Sequence, residues 1–299
     1  MKRKIRQVVV WESIEKSLSN KLGENYKIVS QQPLTGGDIN RAYKIDNGEI
    51  PFFVKVNDKT HISHFGCEVY SLEKIQEFSE IDSPNVITYG ASDDCSYLVL
   101  DYIPFDIQAS NDWYKLGEQL ALLHKNSEHG QFGWDHDNYI GHTRQVNPWS
   151  SNWKRFFSEQ RIGWQLQLLH EKGIHIGDID HIVQECHDGL NHHSPKPRLV
   201  HGDLWSGNLA FFEDTPLIYD PACYYGDREV DIAMTELFGR LPADFYSGYQ
   251  SIQPLDRGYD KRKNIYNFYH VLNHANMFGG VYVEQSQAMI NRIISQNKH

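Results

Sequence analysis

Apolar and polar residues follow two different patterns along the chain, and the change of pattern divides it. Near the N-terminus, apolar residues recur at nearly helical spacing from Ile5 to Leu18, which predicts an amphipathic helix over residues 4–20. Short runs rich in Ile, Val, Phe and Tyr follow, and the Gly, Asn and Asp residues between them are typical of turns, so these runs predict strands. The runs are YKIVSQQ from Tyr26, AYKI from Ala42, FFVKV from Phe52 and YLVLDYI from Tyr97. Together they favour a small antiparallel sheet, which one helix, HFGCEVYSLEKIQEF, interrupts.

Helical spacing prevails beyond Pro104. It predicts helices through the C-terminal part of the chain and in three earlier segments, DWYKLGEQLALLHK, WSSNWKRFFSEQRIGWQLQLLHEK and residues 176–187. Brief strands are expected around Leu199, Leu209 and Leu217, and residues 187–197 are expected to form a loop. We therefore predict an α+β protein with two lobes, residues 1–103 and 104–299, and a cleft between them.

The composition narrows the range of partners. The chain has 299 residues and a formal net charge of −10, with 39 acidic residues against 29 Lys and Arg. Such a field repels phosphate polyanions, so we expect neither a nucleic-acid partner nor binding to an anionic membrane. No segment of the sequence approaches the roughly 18 apolar residues that span a bilayer, and the N-terminal run VVVW is too short for the core of a signal peptide. The four cysteines form no CxxC pair, which is typical of reduced thiols, so we expect a cytoplasmic protein.

Candidate chemistry is concentrated in LVHGDLWSGNLAF, residues 199–211. Asp203 and Asn208 lie five positions apart between two strand-like runs, and a further apolar run, PLIYD, ends at Asp220, twelve residues after Asn208. Carboxylate and amide oxygens suit Mg²⁺, and a remaining carboxylate can accept a proton from a hydroxyl. Protein kinases use the same order, a catalytic Asp, an Asn five positions later and a further Asp that holds metal. The spacing predicts Asp203 as a base and Asn208 and Asp220 as Mg²⁺ ligands.

The first lobe contains residues that such a site requires. Lys55 lies in the apolar strand FFVKV, where its ammonium needs a partner or a ligand. Glu68 lies on the apolar face of the predicted helix, where an unpaired carboxylate would be costly. We therefore predict that Lys55 and Glu68 form an ion pair. Upstream, Gly36 and Gly37 lie at a turn between two strands, where they would let backbone amides approach nucleotide phosphates.

Each of these features also has a purely structural explanation. The Asp and Asn residues of the HGD segment could cap local backbone groups at a turn. The charges of Lys55 and Glu68 could reach solvent from the edges of their elements. A plain hairpin would also use Gly36 and Gly37. The order Asp, Asn, Asp with strand-like flanks, together with a lysine and a glutamate in the first lobe, favours phosphoryl transfer.

With these residues assembled, LVHGDLWSGN followed by IYDPACYYGDREVDIAM resembles the fructosamine kinase family, also called ketosamine-3-kinases. These are small-molecule relatives of protein kinases, close to aminoglycoside and choline kinases. The resemblance extends over most of the chain, through PLTGGDINRAYKI, FFVK, FGCEVYSL, LGEQLALLH and FGWDHDNYIGHTRQVNPWSSNWKRFFSEQRI. HGDL followed by Asn marks only the wider superfamily, whereas HGDLWSGN together with DPACYYG and NYIG…Q.N.W…FF.E.R is specific to this family.

The resemblance implies a protein-kinase-like two-lobed fold and phosphorylation, with ATP and Mg²⁺, of the C3 hydroxyl of ketosamines, the products of sugars reacting with amines. Residues 1–103 would bind the nucleotide, and residues 104–299 would carry the catalytic and substrate-binding groups. Asp231 would brace the catalytic loop, with a helix N-terminal cap as the alternative. The remaining implied roles are Asp203 as base, Asn208 and Asp220 as Mg²⁺ ligands, Gly36, Gly37, Lys55 and Glu68 around the nucleotide phosphates, the backbone of Asp101, Tyr102 and Ile103 at adenine, and Trp205 and Tyr224 at the substrate.

The chain departs from the family pattern at two places. Many members have YGHRE where this chain has YGDRE, which places Asp227 near the site. The turn GGDIN lacks the cysteine that crosslinks subunits in some relatives, so a redox-linked dimer through this turn is unsupported. We expect a monomer. Three alternatives stay open: a kinase of aminoglycosides, choline or other small alcohols, a non-catalytic nucleotide-binding module, and a metal-storage role for a loop with His187, His192 and His193, which would otherwise be an exposed linker.

Overall fold

A computed structural model describes residues 2–35, 39–104 and 112–298, with side chains from residue 9 onward. Its first part is a five-stranded antiparallel sheet in the order β1-β2-β3-β5-β4. The strands are β1 Ser30–Leu34, β2 Arg41–Asp46, β3 Pro51–Asp58, β4 Val86–Ala91 and β5 Cys95–Asp101. Two helices belong to this part, α1 Lys2–Leu22 and α2 Ile62–Phe78.

Alternation along the central strands decides which residues meet each helix. Val54 and Val99 point to the face covered by Ile14 of α1, in one apolar cluster. Leu98 points to the other face, where it packs with Phe65 of α2. Successive side chains of a strand point to opposite faces, so Lys55, which follows Val54, points toward α2. A charged residue inside a buried strand is thereby aimed at one particular helix.

The second part is built mainly from helices around one large apolar core. The helices are α3 Trp113–Asn126, α4 Trp153–Phe157, α5 Trp164–Glu171, α6 Ile179–Gly189, α7 Glu229–Leu237, α8 Ala243–Ile252, α9 Tyr259–Phe278 and α10 Val281–Asn297, with a π-helical turn, Ser158–Gly163, joining α4 to α5. Helices α3 and α8 cross closely at two glycines. A Cβ at Gly117 would lie 2.1 Å from the Phe245 carbonyl oxygen, and a Cβ at Gly248 would lie 2.1 Å from that of Tyr114. Only glycine allows these backbones to approach so closely.

Three short antiparallel strand pairs lie in the second part, and two of them flank the segments that carry Asp203 and Asp220. β6 Asn138–Ile140 pairs with β7 Thr143–Gln145, and β9 Leu209–Phe212 pairs with β10 Thr215–Ile218. β8 Arg198–Val200 pairs with β11 Tyr224–Gly226. Asp203 therefore follows β8, and Asp220 lies between β10 and β11, so both acids lie at strand ends.

The predicted α+β class is confirmed, with three local differences. The strand predicted from Tyr26 begins only at Ser30; Tyr26 lies before it, is buried, and donates its hydroxyl to the Ile50 carbonyl at 2.9 Å. β4 was not predicted, since several of its side chains are exposed or half-buried and it lacks a clear apolar run. Helix α6 continues to Gly189, into the predicted loop. All four cysteines are free thiols, and among the residues whose structure is given we find no helix long and apolar enough to cross a membrane.

Candidate active site

The turn after β8 carries Asp203 in a tightly constrained backbone. Gly202 has φ of +81°, and a Cβ there would lie 2.1 Å from the Ala222 carbonyl oxygen. A side chain at this position would be strained and would also push the two segments apart. The Ala222 amide donates to the His201 carbonyl at 2.8 Å, so the segment after Asp220 is hydrogen-bonded to the turn that precedes Asp203.

Asn208 is held by the turn that Asp203 begins. Its Nδ2 donates to the backbone oxygen of Asp203 at 2.8 Å and to Asp203 Oδ2 at 3.1 Å. Both donations come from the amide nitrogen, and Asn208 Oδ1 therefore remains as the atom that can bind a cation. The five-residue spacing in the sequence thus produces a direct contact between the two side chains.

Lys55 joins the sheet to the segment after β10. Its Nζ donates to Glu68 Oε1 at 2.6 Å, which confirms the predicted pair. The same ammonium donates to Asp220 Oδ1. Asp220 has φ of +56°, in the left-handed region that residues other than glycine adopt only at a cost. Strand β3, helix α2 and the segment after β10 therefore meet at one cation.

The pKa values around this cluster are shifted by burial and by neighbouring charges. Burial, followed by the negative charge of Asp220, raises the pKa of Asp203 to about 7, although the hydrogen bond from Asn208 opposes the rise. Burial alone would lower the pKa of Lys55, but Asp220 and Glu68 together outweigh it and raise that pKa. Burial raises the pKa of Glu68 against the opposing effect of Lys55. Asp203 can therefore exchange a proton near neutral pH, while Lys55 stays charged.

Asp231 holds the backbone of the turn that precedes Asp203. Its carboxylate accepts the backbone N–H of His201 at 2.7 Å and of Gly202 at 2.9 Å, and it contacts His124 Nε2 at 3.0 Å. Burial would raise the pKa of Asp231, but its hydrogen bonds and the neighbouring histidines together lower it. The brace predicted for Asp231 is confirmed. The sequence did not single out His124, because a histidine on the apolar face of α3 is typical of a core position.

The two predicted substrate contacts differ in exposure. Trp205 is half-buried, and its ring covers Gly207, where a Cβ would lie 2.4 Å from the indole. Tyr224 is buried, and the Arg161 guanidinium lies 4.1 Å from its ring centre. This placement differs from the predicted substrate contact: the pairing of β11 with β8 turns the ring of Tyr224 into the core.

The predicted nucleotide contacts of the first lobe lie at its edges. Asp101 ends β5 and accepts from the backbone N–H and the side-chain amide of Asn85, at 2.7 and 2.9 Å. Its carboxylate is thus occupied locally, and its backbone runs on to Tyr102 and Ile103. Gly36 and Gly37 lie outside the described residues.

The donor atoms suit a hard divalent cation. Asn208 offers an amide oxygen just before β9 and Asp220 a carboxylate just after β10, at the open end of one hairpin, and Mg²⁺ prefers oxygen ligands of these two kinds. The buried Lys55 nearby suits the phosphate oxygens that complete such a coordination sphere. These residues therefore fit Mg²⁺ bound with a nucleotide.

A second group of possible metal ligands, His193, Glu229 and Asp256, lies elsewhere. Glu229 accepts two hydrogen bonds from Arg262, at 2.7 and 2.8 Å. His193 Nε2 lies 2.7 Å from the Asp227 carboxylate, which also accepts from the Tyr266 hydroxyl at 2.5 Å. These contacts form an ion-pair network, so they give no support to the metal-storage alternative. They also bury His193, which the sequence had placed in an exposed linker, and give Asp227 a structural partner.

A lysine of an antiparallel sheet is paired with a glutamate of the helix packed on that sheet, and the lysine faces an Asp, Asn, Asp set at strand ends of the helical part. This arrangement defines a protein-kinase-like phosphotransferase. The solved structures agree on the fold. An aminoglycoside phosphotransferase, APH(4)-Ia, superposes with a TM-score of 0.61 at 16% identity, covering 95% of this chain and 98% of the other.

The sequence comparisons identify the family. The fructosamine kinase family model matches residues 10–296. The chain is 48% identical over 287 residues to a probable ketoamine kinase of Vibrio parahaemolyticus, covering 96% of this chain and all of that protein. It is 41% identical over 286 residues to a probable ketoamine kinase of Escherichia coli K12, with the same coverage. A crystal structure described as a putative fructosamine-3-kinase from Haemophilus somnus 129PT superposes with a TM-score of 0.93 at 36% identity, covering 97% and 99% of the two chains. The chain belongs to the fructosamine kinase family and is an ATP-dependent kinase.

Proposed function

We propose that this enzyme transfers the γ-phosphoryl group of ATP to the C3 hydroxyl of a ketosamine, with Asp203 as the base. The observation that carries the proposal is the meeting of Lys55 with Glu68 and Asp220, beside the hydrogen-bonded pair of Asp203 and Asn208. Phosphoryl transfer requires a cation for the phosphates, oxygen ligands for a metal and an acceptor for the hydroxyl proton, and these five residues supply all three.

Asp203 takes the proton of the attacking hydroxyl. As the sugar oxygen bonds to the γ-phosphorus, the bond from that phosphorus to the bridging oxygen breaks, ADP leaves, and the hydroxyl proton passes to the Asp203 carboxylate. The pKa of Asp203, raised to about 7, suits a group that accepts and then releases a proton near neutral pH. No covalent intermediate with the protein is required.

Asn208 and Asp220 hold Mg²⁺, and Lys55 holds the phosphate oxygens. When bound, Mg²⁺ supplies positive charge that offsets the charge developing on the transferred group. Glu68 fixes the position of the Lys55 ammonium through the 2.6 Å contact. Replacing Asp220 with Asn should weaken binding of magnesium ADP, and an unchanged nucleotide affinity would contradict this role.

The two lobes divide the work. Residues 1–103 bind the nucleotide, with Gly36 and Gly37 at the phosphates and the backbone of residues 101–103 at adenine, and residues 104–299 carry the catalytic groups. Trp205, two residues after Asp203, is the substrate contact that we retain, since its half-buried ring can cover a sugar. We propose that the protein acts as a cytoplasmic monomer.

The test is incubation with magnesium ATP and a panel of fructose-, ribulose- and erythrulose-amines, free and on a protein lysine, beside aminoglycosides and choline. We expect ATP-dependent phosphorylation of the ketosamines, and NMR should locate the new phosphate on the C3 oxygen. Phosphate on another oxygen, or turnover only of an aminoglycoside or choline, would contradict the proposed reaction. Product formed with any acceptor would exclude a non-catalytic module.

A further inference from the structure

The segment after Asp220 runs into a cluster of buried side-chain amides. Gln145 Nε2 donates to the Ala222 carbonyl at 3.1 Å, and Asn138 Nδ2 donates to the Cys223 carbonyl at 2.8 Å. Asn138 and Gln145 are both almost fully buried. Their donations satisfy two consecutive carbonyls, which could otherwise lose their hydrogen bonds to water without replacement. The two residues that follow the strained Asp220 by two and three positions are therefore fixed by side chains of β6 and β7.

The amides are linked to one another as well as to the backbone. Asn138 Oδ1 accepts from Gln145 Nε2 and from Asn147 Nδ2, each at 2.8 Å. Tyr269 of α9 donates its hydroxyl to Gln145 Oε1 at 2.8 Å. Each of these bonds restricts the orientation of the next side chain, so the two amides that reach the Asp220 segment cannot rotate independently.

A buried arginine anchors the far end of the cluster. Arg161 lies in the π-helical turn between α4 and α5, has 0% of its surface exposed, and donates to Asn147 Oδ1 and to the Val146 carbonyl, both at 2.6 Å. Its guanidinium lies 4.1 Å from the ring centre of Tyr224 and 4.8 Å from that of Phe156. The π-helical turn, a feature that is frequent at functional sites, thus supplies the cation that orients Asn147.

The opposite side of the same segment is held by the catalytic turn. The Ala222 amide is bonded to the His201 carbonyl, and the Ala222 carbonyl lies against Gly202. The peptide groups around Ala222 are therefore fixed on both sides, and Asp220, two positions earlier, is left with little freedom to leave the left-handed conformation. Holding a non-glycine residue there is unfavourable, and the surrounding contacts must offset that cost.

We propose that Asn138 and Gln145 are positioning residues that keep Asp220 in the geometry for metal binding, through the carbonyls of Cys223 and Ala222. The proposal rests on the proposed function, because it takes Asp220 as a ligand of the nucleotide-bound metal. Partners beyond the ligands themselves commonly change metal affinity by about 10–100-fold. The amide cluster thus sets metal affinity without contacting metal or substrate.

The experiment measures binding of manganese ADP by electron paramagnetic resonance, since Mn²⁺ takes the same oxygen ligands as Mg²⁺ and is visible directly. Gln145→Leu removes the donor to Ala222 at similar size. Tyr269→Phe is a milder variant that only frees Gln145 to rotate. Tyr246→Phe is the matched control, because Tyr246 is also buried in the helical part and its hydroxyl lies 3.0 Å from Thr235 Oγ1, away from the amide cluster.

We expect Gln145→Leu to raise the Kd for manganese ADP by about 10–100-fold and Tyr269→Phe by up to about tenfold, with the Kd of Tyr246→Phe unchanged. If Gln145→Leu does not fold, Tyr269→Phe against Tyr246→Phe decides. The positioning role would be overturned if folded Gln145→Leu and Tyr269→Phe bound manganese ADP with unchanged affinity, or if all three variants lost affinity equally. Failure of the unmutated enzyme to bind manganese ADP would instead contradict the proposed function itself.

Discussion

Two carboxylates flank the catalytic turn, the buried Asp231 and the half-buried Asp203, and their surroundings shift their pKa values in opposite directions. Asp231 accepts hydrogen bonds from two backbone N–H groups of the turn and contacts His124, and its pKa is lowered. Asp203 accepts a hydrogen bond from the Asn208 amide and is close to Asp220, and its pKa is raised to about 7. Burial pushes both pKa values upward, so the difference comes from the hydrogen bonds and histidines around Asp231 and from the negative charge of Asp220 beside Asp203. One carboxylate is thereby kept ionised as a brace, and the other is left able to accept a proton.

The largest effect should come from removing the reactive carboxylate. Asp203→Asn keeps the shape and the contact with Asn208 but cannot accept a proton, so turnover should fall by about 10²–10⁴-fold. Steady-state kinetics on the ketosamine measures the loss, and binding of manganese ADP should stay close to that of the unmutated enzyme. Normal turnover would show that Asp203 is not the base, and the contrast between a reactive Asp203 and a structural Asp231 would fail.

The next effect concerns the brace and should appear in stability. Asp231→Asn leaves His124 and two backbone amides with one fewer acceptor in a buried site, so the free energy of unfolding should fall by about 3 kcal/mol. Urea denaturation measures it. Asp178→Asn is the control, because Asp178 accepts the His181 amide at 2.8 Å as the exposed cap of α6, and Asn caps almost as well. Equal stability of the two variants would contradict the brace.

Sequence patterns of short segments predicted the reactive residues of the site better than they predicted the residues that support the catalytic turn. The strand alternation that turns Lys55 toward α2, the helix face of Glu68 and the five-residue step from Asp203 to Asn208 are all properties of short segments. The contacts of these side chains could be predicted because each residue type has few possible partners at that place. The ion pair of Lys55 and Glu68 is the confirmed example.

The supporting residues could not be predicted, because their partners lie far along the chain. His124 and Asp231 are 107 positions apart, and Gln145 reaches a carbonyl 77 positions away. The sequence around His124 does not distinguish a brace from an ordinary core position, and the family motif NYIG…Q.N.W contains Gln145 without indicating its partner. Tyr224 shows the same limit: an aromatic residue near the motif was predicted at the substrate, but strand pairing buries it against Arg161.

A third test asks whether burial acts on a base as it does on Asp203. Burial, with a smaller contribution from His274 and Arg161 and against Asp231, lowers the pKa of His270 from 6.5 to about 3. The unfolded chain binds a proton below pH 6.5 and the folded chain does not, so stability is present above pH 6.5 and is lost as the pH falls toward 3. The loss for one proton is about 1.4 kcal/mol per pH unit.

Replacing His270 with Gln should remove that share of the pH dependence. The measurement is the free energy of unfolding of both proteins between pH 7 and pH 5, where the difference between them should narrow as the pH falls. Parallel curves would mean that burial does not keep His270 neutral.

The smallest effect should come from a charge pair without burial. Arg155 and Glu159 form an exposed pair one turn apart, with 3.0 Å between nitrogen and oxygen. Water screens such a pair, so Arg155→Ala should change the unfolding free energy by about 0.5 kcal/mol or less. Thermal denaturation at low and high salt checks it, and a loss comparable to that of Asp231→Asn would remove the distinction between buried and exposed charges.

The close crossing of α3 and α8 has a consequence for how this enzyme can vary. His124 of α3 contacts both Asp231 and the hydroxyl of Tyr249, at 3.0 and 2.8 Å, and Tyr249 follows Gly248 at the crossing. A side chain at Gly117 or Gly248 would separate the helices and displace this line of contacts. In a library of random variants assayed for ATP-dependent kinase activity, these two positions should therefore be as intolerant as the active site itself, although neither residue belongs to that site.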